Sequence, residues 1–234
     1  MGELAFIHCS TESEESRTKQ RGGVYLKFSS VVNMIAFANA IEVLRAENQL
    51  CITKHYTWLL ASLTGGKVEA SNGIALDAVA IGEICEADII LVCGGNDVQD
   101  VTMPEHLSVL RRFDRSGVVP GGICTGAYVL AKAGLLSGYR CSIHWERLFA
   151  HQETFREVKF SKSLFAIDRD RVTCSGGVAP LHMMLDLISP HVGPKLIAEI
   201  SDFFIVEHLR NTYSLQAMPL VAHPALQIVS SSMS

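Results

Sequence analysis

The sequence has 234 residues, of which 48% are hydrophobic and 19% are charged. This share of apolar side chains supports a packed core and excludes a largely disordered chain. The formal net charge of −4 argues against a stand-alone nucleic-acid binder, because such proteins need a basic surface for phosphate contacts. No uninterrupted apolar stretch reaches the ~20 residues that a transmembrane helix needs, so we expect no membrane partner.

The cysteines indicate a reducing compartment. There are seven of them, widely spaced and without a C-x-x-C pair, which predicts free thiols in the cytoplasm. The N-terminus has no apolar segment behind a basic start, so no secretory signal is expected. Without paired cysteine spacing we expect no zinc or other metal, and we expect no cofactor.

Along the chain, a polar start gives way to short apolar segments that alternate with helical patterns. We predict a flexible N-terminal tail (residues 1–22), one folded domain (23–211) and a linker (212–234). The predicted strands are 24–28, 56–62, two short strands around 71–73, 88–93, 118–123 and 139–143, with a hairpin over 158–175 that turns at 168–170. The predicted helices are 31–48 with Ser30 as N-cap, 104–115, 125–133, 178–189 and 194–209.

The type of alternation predicts the fold class. Continuous apolar runs that end in glycine, such as residues 88–93 before Gly94, are typical of strands buried on both faces. Such strands alternate here with helices, which is the pattern of an α/β domain with a mostly parallel sheet between two helical layers.

The most informative motif is Gly122-Ile123-Cys124-Thr125-Gly126, at the junction of a predicted buried strand and a helix. A nucleophile between two glycines at a strand-to-helix turn is the sequence form of a nucleophile elbow. A backbone N–H of Thr125 and another from Gly94 or Gly95 are candidate donors to a bound oxyanion. The motif is short, however, and an inert buried cysteine beside a turn fits it equally well.

His144 is the candidate partner of Cys124. It follows predicted strand 139–143, so it reaches the rim of the elbow if that strand neighbours the elbow strand. A Cys–His pair is the minimum for thiol catalysis. A surface histidine is the alternative reading, and the spacing by itself favours it.

Several motifs together resemble a known family. The run 122–146, GICTGAYVLAKAGLLSGYRCSIHWE, resembles the elbow region of the ThiJ/PfpI superfamily, within the class I glutamine amidotransferase-like fold. More narrowly, its C-T-G, A-G-L-L-x-G and H-W resemble the sensory domain of GlxA-type regulators in the AraC family. Further matching segments, in the same order, are residues 40–48, 56–58, 71–73, 92–95, 175–177, 203–210 and 216–219.

The resemblance implies a flavodoxin-like three-layer sandwich, a small-molecule pocket over the elbow and a homodimer. It implies that a helix-turn-helix domain, absent from this sequence, binds promoter DNA. The effectors of such regulators are small nitrogenous metabolites, which suggests an amino acid or a quaternary amine, and the ring of Trp145 suits such a cation. The implied ligand-binding residues are Asn33, Gly95, Cys124, Thr125, His144 and Trp145.

Two departures from the enzymes of the superfamily argue against catalysis. Peptidase-like members have a histidine directly after the cysteine, where this chain has Thr125, and many members place a glutamate after the first strand, whereas residues 28–37 contain no Asp or Glu. We therefore favour a non-enzymatic sensor. The alternative is a thiol-dependent hydrolase or amidase with Cys124 as nucleophile and His144 as base, and a third reading is a redox switch at Cys124.

Overall fold

The computed structural model describes residues 21–27, 31–51, 54–95 and 97–217. The strands are β1 (Arg21–Lys27), β2 (Val31–Val32), β3 (Tyr56–Ser62), β4 (Gly66–Ala70), β5 (Ala75–Ala80), β6 (Ile89–Cys93), β7 (Val119–Ile123), β8 (Arg140–Ser142), β9 (Lys159–Ser161), β10 (Phe165–Asp168) and β11 (Arg171–Cys174). The helices are α1 (Met34–Leu50), α2 (Val98–Val101), α3 (Pro104–Arg115), α4 (Gly126–Lys132), α5 (Leu148–Thr154) and α6 (Ala179–Phe203).

A mixed sheet forms the centre of the domain, in the order β10-β11-β7-β6-β1-β3-β5-β4-β2. Strands β11, β7, β6, β1 and β3 are joined by parallel pairing, and the hairpins β10–β11 and β4–β5 are antiparallel. Strand β5 also pairs in parallel with β3, so the carboxyl ends of these six strands lie at one edge of the sheet. This arrangement agrees with the predicted α/β fold class.

Strand β6 shows why the sheet is covered on both faces. All five of its residues are buried. Ile89, Leu91 and Cys93 belong to one hydrophobic cluster, which includes residues of α1 and α6. Ile90 and Val92 belong to a second cluster, which includes residues of α3 and α4. The side chains alternate between the two helical layers, as the period of two in a strand requires.

Helix α6 contains the break that the sequence predicts between residues 189 and 194. Gly193 lies there in the left-handed region (φ 79°) and divides the helix. The second half ends at Phe203 rather than at the predicted residue 209, because Val206 N–H turns back to the Ser201 carbonyl and closes the last turn. Within the described ranges, no helix has both the length and the apolar character that a membrane crossing requires.

The condition set for His144, that strand 139–143 neighbours the elbow strand, is not met. The strand in this segment, β8, pairs with β9 in a separate two-stranded sheet and does not neighbour β7. The place beside β7 is taken by β11. Strand β8 is attached to β11 through a side chain, since Ser142 N–H donates to the Thr173 hydroxyl at 2.9 Å.

The structure also moves both boundaries of the folded domain outward. Strand β1 begins at Arg21, two residues inside the predicted tail, because Arg21 and Gly22 pair with β3. At the other end, residues of the predicted linker are attached to the domain. Gln216 Nε2 donates to the carbonyls of Ile143 (2.9 Å) and Ser163 (3.0 Å). The rest of the predicted tail, residues 1–20, and residues 218–234 of the linker lie outside the described residues.

Candidate functional site

The turn between β7 and α4 has the backbone geometry of a nucleophile elbow. Cys124, the first residue after β7, lies in the left-handed region with φ 59°, a conformation that costs a non-glycine residue about 1 kcal/mol. It is held there by a hydrogen bond from its N–H to the Cys174 carbonyl at 3.1 Å. Thr125 follows as the N-cap residue of α4. The predicted elbow is therefore present.

Glycines let α4 approach the sheet closely at this turn. A Cβ on Gly122 would come within 2.6 Å of the Ala127 nitrogen, and a Cβ on Gly94 would overlap Thr125. A Cβ on Gly126 would overlap the carbonyl of Val92 in β6. The glycines on either side of Cys124 are thus required by backbone crossings, as the sequence motif predicts.

His144 lies beside Cys124, although not for the reason expected from the sequence. The backbone N–H of His144 donates to the Cys124 carbonyl at 3.4 Å. A Cβ on Gly176 would be 3.3 Å from Cys124 Sγ and 3.0 Å from His144 Cδ2, so the thiol and the imidazole border the same point. The connection runs through the loop after β8, which passes over the elbow, and not through pairing of β8 with β7.

Two further side chains extend this wall of the site. The half-buried ring of Trp145 lies against the His144 imidazole, with 5.6 Å between ring centroids and 33° between planes. Glu146 Oε2 is 3.7 Å from His144 Nδ1, which is too long for a hydrogen bond. The structure thus places an aromatic face and a carboxylate beside the His144 imidazole.

The environment of Cys124 opposes thiolate formation. The side chain is 6% exposed, and burial raises the pKa of the thiol to about 11, with the N–H of Thr125 lowering it and Glu146 raising it by smaller amounts. Burial also lowers the pKa of His144, which favours the neutral imidazole. An activated nucleophile needs a lowered thiol pKa, and this site has the reverse.

The polar groups proposed as oxyanion donors are partly used within the fold. The Gly94 N–H donates to the Ile123 carbonyl at 3.2 Å, so of the two candidate donors, Gly94 and Gly95, the structure excludes Gly94. The buried Thr125 hydroxyl donates to the Gly95 carbonyl at 2.7 Å. That bond joins the elbow to the end of β6, because Gly95 follows that strand.

Asn33 caps the N-terminus of α1. It is the N-cap residue, and its side-chain oxygen accepts from Ala36 N–H at 3.2 Å. The sequence assigned that cap to Ser30, which lies outside the described residues. The first half of α1 does border the site, since Asn39 Nδ2 donates to the carbonyl of Gly177 at 3.5 Å, next to Gly176. The contacts therefore join Gly95, Cys124, Thr125, His144 and Trp145, whereas Asn33 serves the helix.

Sequence reasoning missed Gly176 and Glu146 as site residues. The sequence favours residues 175–177 as the start of a helix, with a pocket wall as the alternative, and the structure places Gly176 against both the Cys124 thiol and the His144 imidazole. Glu146 directly follows the H-W pair, and that adjacency was the available signal. Neither could be placed without knowing that the loop after β8 and the loop after β11 meet at the elbow.

Comparison with known proteins agrees with this geometry. The family model described as the DJ-1/PfpI family matches residues 30–189. "HTH-type transcriptional regulator GbdR" of Pseudomonas aeruginosa is 45% identical over 188 residues, which are 80% of this chain and 51% of that protein. "HTH-type transcriptional regulator GlxA" of Rhizobium meliloti is 36% identical over 198 residues, which are 82% of this chain and 60% of that protein.

A solved structure gives the same result. The crystal structure of an AraC family transcriptional regulator from Pseudomonas putida superimposes with a TM-score of 0.72 at 26% identity, over 78% of this chain and 98% of that chain. The fold and the elbow define a flavodoxin-like domain with a cysteine at its strand-to-helix turn. Within that class, the chain belongs to the DJ-1/PfpI family. The resemblance to GlxA-type regulators is confirmed, and the chain spans about half the length of the curated relatives it matches.

Proposed function

We propose that this chain is the ligand-sensing and dimerisation domain of an AraC-type transcription regulator, acting in the cytoplasm. The observation that carries the proposal is the similarity to named regulators along about four-fifths of the chain, 80% for GbdR and 82% for GlxA. Their additional length leaves room for a DNA-binding domain outside the present sequence. The net charge of −4 supports this division, since promoter contact would need a basic surface elsewhere.

The effector site of this proposal lies over the elbow. In this proposal Cys124 is its floor and His144 and Trp145 are one wall, because Gly176 borders both the thiol and the imidazole and the Trp145 ring lies against His144. The ring of Trp145 suits a cationic nitrogen, which favours an amino acid or a quaternary amine as effector, at about 0.5–2 kcal/mol for such a contact. Gly95 and Thr125 support the floor, and Asn33 stays a candidate only through its place at the start of α1.

Regulation then requires no chemical reaction. An effector that binds one arrangement of a dimer more tightly than another shifts the population toward it. In a homodimer, that shift changes the spacing of the two attached DNA-binding domains. The coupling between effector and promoter is reciprocal, so promoter DNA would change effector affinity by the same factor by which the effector changes promoter affinity in the full-length regulator.

The first test is thermal unfolding of the chain against amino acids, betaines, carnitine and choline. A compound that binds the folded state at a hundred times its Kd stabilises by ~2.7 kcal/mol, or roughly 5–10 °C for a chain of this length. We expect one compound to produce such a shift and to be recovered unchanged. The absence of a shift from every compound would contradict the proposed effector class.

Two substitutions test whether the effector binds over the elbow. Gly176→Leu fills the space between thiol and imidazole, and Trp145→Ala removes the aromatic face, so both are expected to abolish most of the shift. Gly82→Ala is the matched control, because a Cβ there meets nothing within 4 Å and the backbone is not in the left-handed region. Full shifts in both site variants would place the effector elsewhere.

Cysteine reactivity separates the sensor from the hydrolase alternative. Because the pKa of the Cys124 thiol is raised to about 11, we expect iodoacetamide at pH 7.5 to alkylate it more slowly than the exposed Cys85. Its rate should rise with pH until about pH 11. Peptide mass spectrometry of the native protein after timed labelling measures both rates.

The hydrolase alternative gives the opposite order. A nucleophilic Cys124 would be labelled first near neutral pH, and Cys124→Ser would abolish turnover of any substrate found. Preferential labelling of Cys124 in the folded protein would therefore overturn the non-enzymatic assignment.

A further inference from the structure

A second cluster of reactive side chains lies at the other edge of the sheet from the elbow. Glu47 and Cys51 stand one turn apart at the end of α1, and His55 immediately precedes β3. Because β3 and β7 run in the same direction through β1 and β6, the start of β3 and the end of β7 lie at opposite edges. The cluster is therefore separate from the Cys124 site.

The three groups converge on one carboxylate oxygen. Cys51 Sγ is 3.4 Å from Glu47 Oε1 and His55 Nδ1 is 2.6 Å from the same oxygen. The ligand atoms of all three residues lie within 4.8 Å of one another. A thiol, an imidazole and a carboxylate are the three side-chain types that bind zinc and its neighbours in the first transition row.

The backbone around the cluster is fixed by Asn48. Its side-chain oxygen accepts from the N–H groups of His55 (2.8 Å) and Tyr56 (2.9 Å), and its Nδ2 donates to the Tyr56 carbonyl at 2.7 Å. These bonds hold the start of β3 against the last turn of α1. The position of His55 beside Glu47 is thus set before any ligand arrives, which lowers the entropic cost of binding.

The carboxylate of Glu47 is the feature that points to a cation. The residue is 0% exposed, and among the residues that the structure describes its buried Oε2 has no hydrogen-bond partner. A buried carboxylate is costly unless a positive charge or a full set of donors compensates it. The nearby cation Arg45 is bonded to Glu42 and Gln49 instead. A metal ion at the cluster would supply the charge and could use the second oxygen.

We propose that Glu47, Cys51 and His55 form a binding site for a divalent transition metal such as Zn²⁺, with three protein ligands and a fourth position open to water. In a tetrahedral zinc site the ligand atoms are about 3.3–3.6 Å apart, given the usual metal–ligand bond lengths. The Cys51–Glu47 distance of 3.4 Å already fits. The His55–Glu47 pair, now at hydrogen-bonding distance, has to open by a fraction of an ångström.

Binding of a divalent metal ion at this site releases one proton in total. Burial and the Glu47 carboxylate raise the pKa of the Cys51 thiol to about 11, with Glu199 of α6 contributing in the same direction, so the metal-free thiol is protonated. The metal forms its bond to sulfur as the S–H bond breaks, and the proton goes to solvent. In the metal-free site the ring proton is on Nδ1, which donates to Glu47 Oε1. Coordination through Nδ1 requires that proton to leave to solvent while Nε2 takes one up, so the neutral imidazole neither gains nor loses a proton overall.

This proposal differs from the expectation of no metal that we drew from the cysteine spacing. The ligands follow the pattern E-x-x-x-C-x-x-x-H, with a single cysteine, so a search for paired cysteines does not find them. The helical spacing places Glu47 and Cys51 on one face of α1. Only the return of the chain at Asn48 brings His55 to the same point.

The test is titration of the metal-free, reduced chain with Co²⁺, followed by competition with Zn²⁺. We expect one equivalent to give the visible bands of tetrahedral cobalt and a thiolate-to-cobalt charge-transfer band, both lost on adding Zn²⁺. Cys51→Ser should remove the charge-transfer band. Cys51→Ser and His55→Gln should each weaken binding by about 100-fold or more, since loss of a ligand costs at least as much as loss of an outer-shell partner.

Matched controls address the other thiols. Cys85→Ser removes an exposed thiol outside the cluster and should leave the spectrum unchanged. Cys9→Ser tests the adjacent His8-Cys9 pair in the sequence in the same way. A wild-type protein without the cobalt bands, or a Cys51→Ser variant that keeps them, would overturn the proposal and leave a plain His55–Glu47 hydrogen bond.

Discussion

Replacing Gly126 with alanine is expected to lower the free energy of unfolding by about 3 kcal/mol or more, the upper end for overpacking a core. The added Cβ would overlap the Val92 carbonyl and lie 2.8 Å from its carbonyl carbon. The added Cβ is fixed to the backbone of α4 and its neighbour is a backbone carbonyl, so no side-chain rotation can relieve the overlap. Helix α4 has to move off β6, and the elbow moves with it.

Equilibrium urea unfolding measures this loss, and thermal unfolding should show a Tm lower by roughly 6–12 °C for a chain of this length. Gly82→Ala is again the control and should change stability by less than about 0.5 kcal/mol. Failure of the Gly126→Ala variant to fold is the extreme form of the expected result. A variant within 0.5 kcal/mol of wild type would contradict the close crossing.

Arg171→Met is expected to cost about 2–3 kcal/mol, because it removes a buried guanidinium that bonds two partly exposed carboxylates and one backbone carbonyl. The side chain is 8% exposed and pairs with Asp114 (2.7 Å) and Asp170 (2.8 Å). Its Nε donates to the Leu135 carbonyl at 2.8 Å. Methionine leaves that carbonyl and the Asp114 carboxylate without these donors. It also removes the ion pair that links β11 to α3.

Arg169, two residues earlier in the same hairpin, provides the matched control. Its side chain is 59% exposed, so Arg169→Met should cost less than about 1 kcal/mol. Arg171→Lys keeps the charge but not the planar fork and should recover only part of the loss. Equal stabilities of the two methionine variants in urea would show that the buried network contributes little.

Local sequence patterns were sufficient for most of the elements. The apolar run before Gly94 and the glycines around Cys124 predicted β6, β7 and the elbow, because their periods and turns are properties of a few adjacent residues. Proline at the first position of α3 marked its start, and the break predicted between residues 189 and 194 is found in α6 at Gly193. These signals depend on steric constraints that act within one turn or one strand.

The errors concern contacts between distant segments. Strand β8 has the composition of a sheet strand, but whether it or β11 pairs with β7 depends on which packs better against the finished sheet. The same limit applies to Gly176 and to His55, whose neighbours come from other parts of the chain. Gln216 shows it most clearly, since a polar segment near two prolines was predicted as linker but is bonded to the domain.

The hydrogen bonds of Gln216 also connect its segment of the chain to the loop that carries His144. Its amide holds the Ile143 carbonyl, one residue before His144, and its backbone N–H donates to the Lys162 carbonyl at 2.9 Å. In the proposed regulator, a ligand that displaces His144 therefore also disturbs the hydrogen bond between Ile143 and Gln216. A movement of the pocket wall is therefore passed through Gln216 to the segment that contains it.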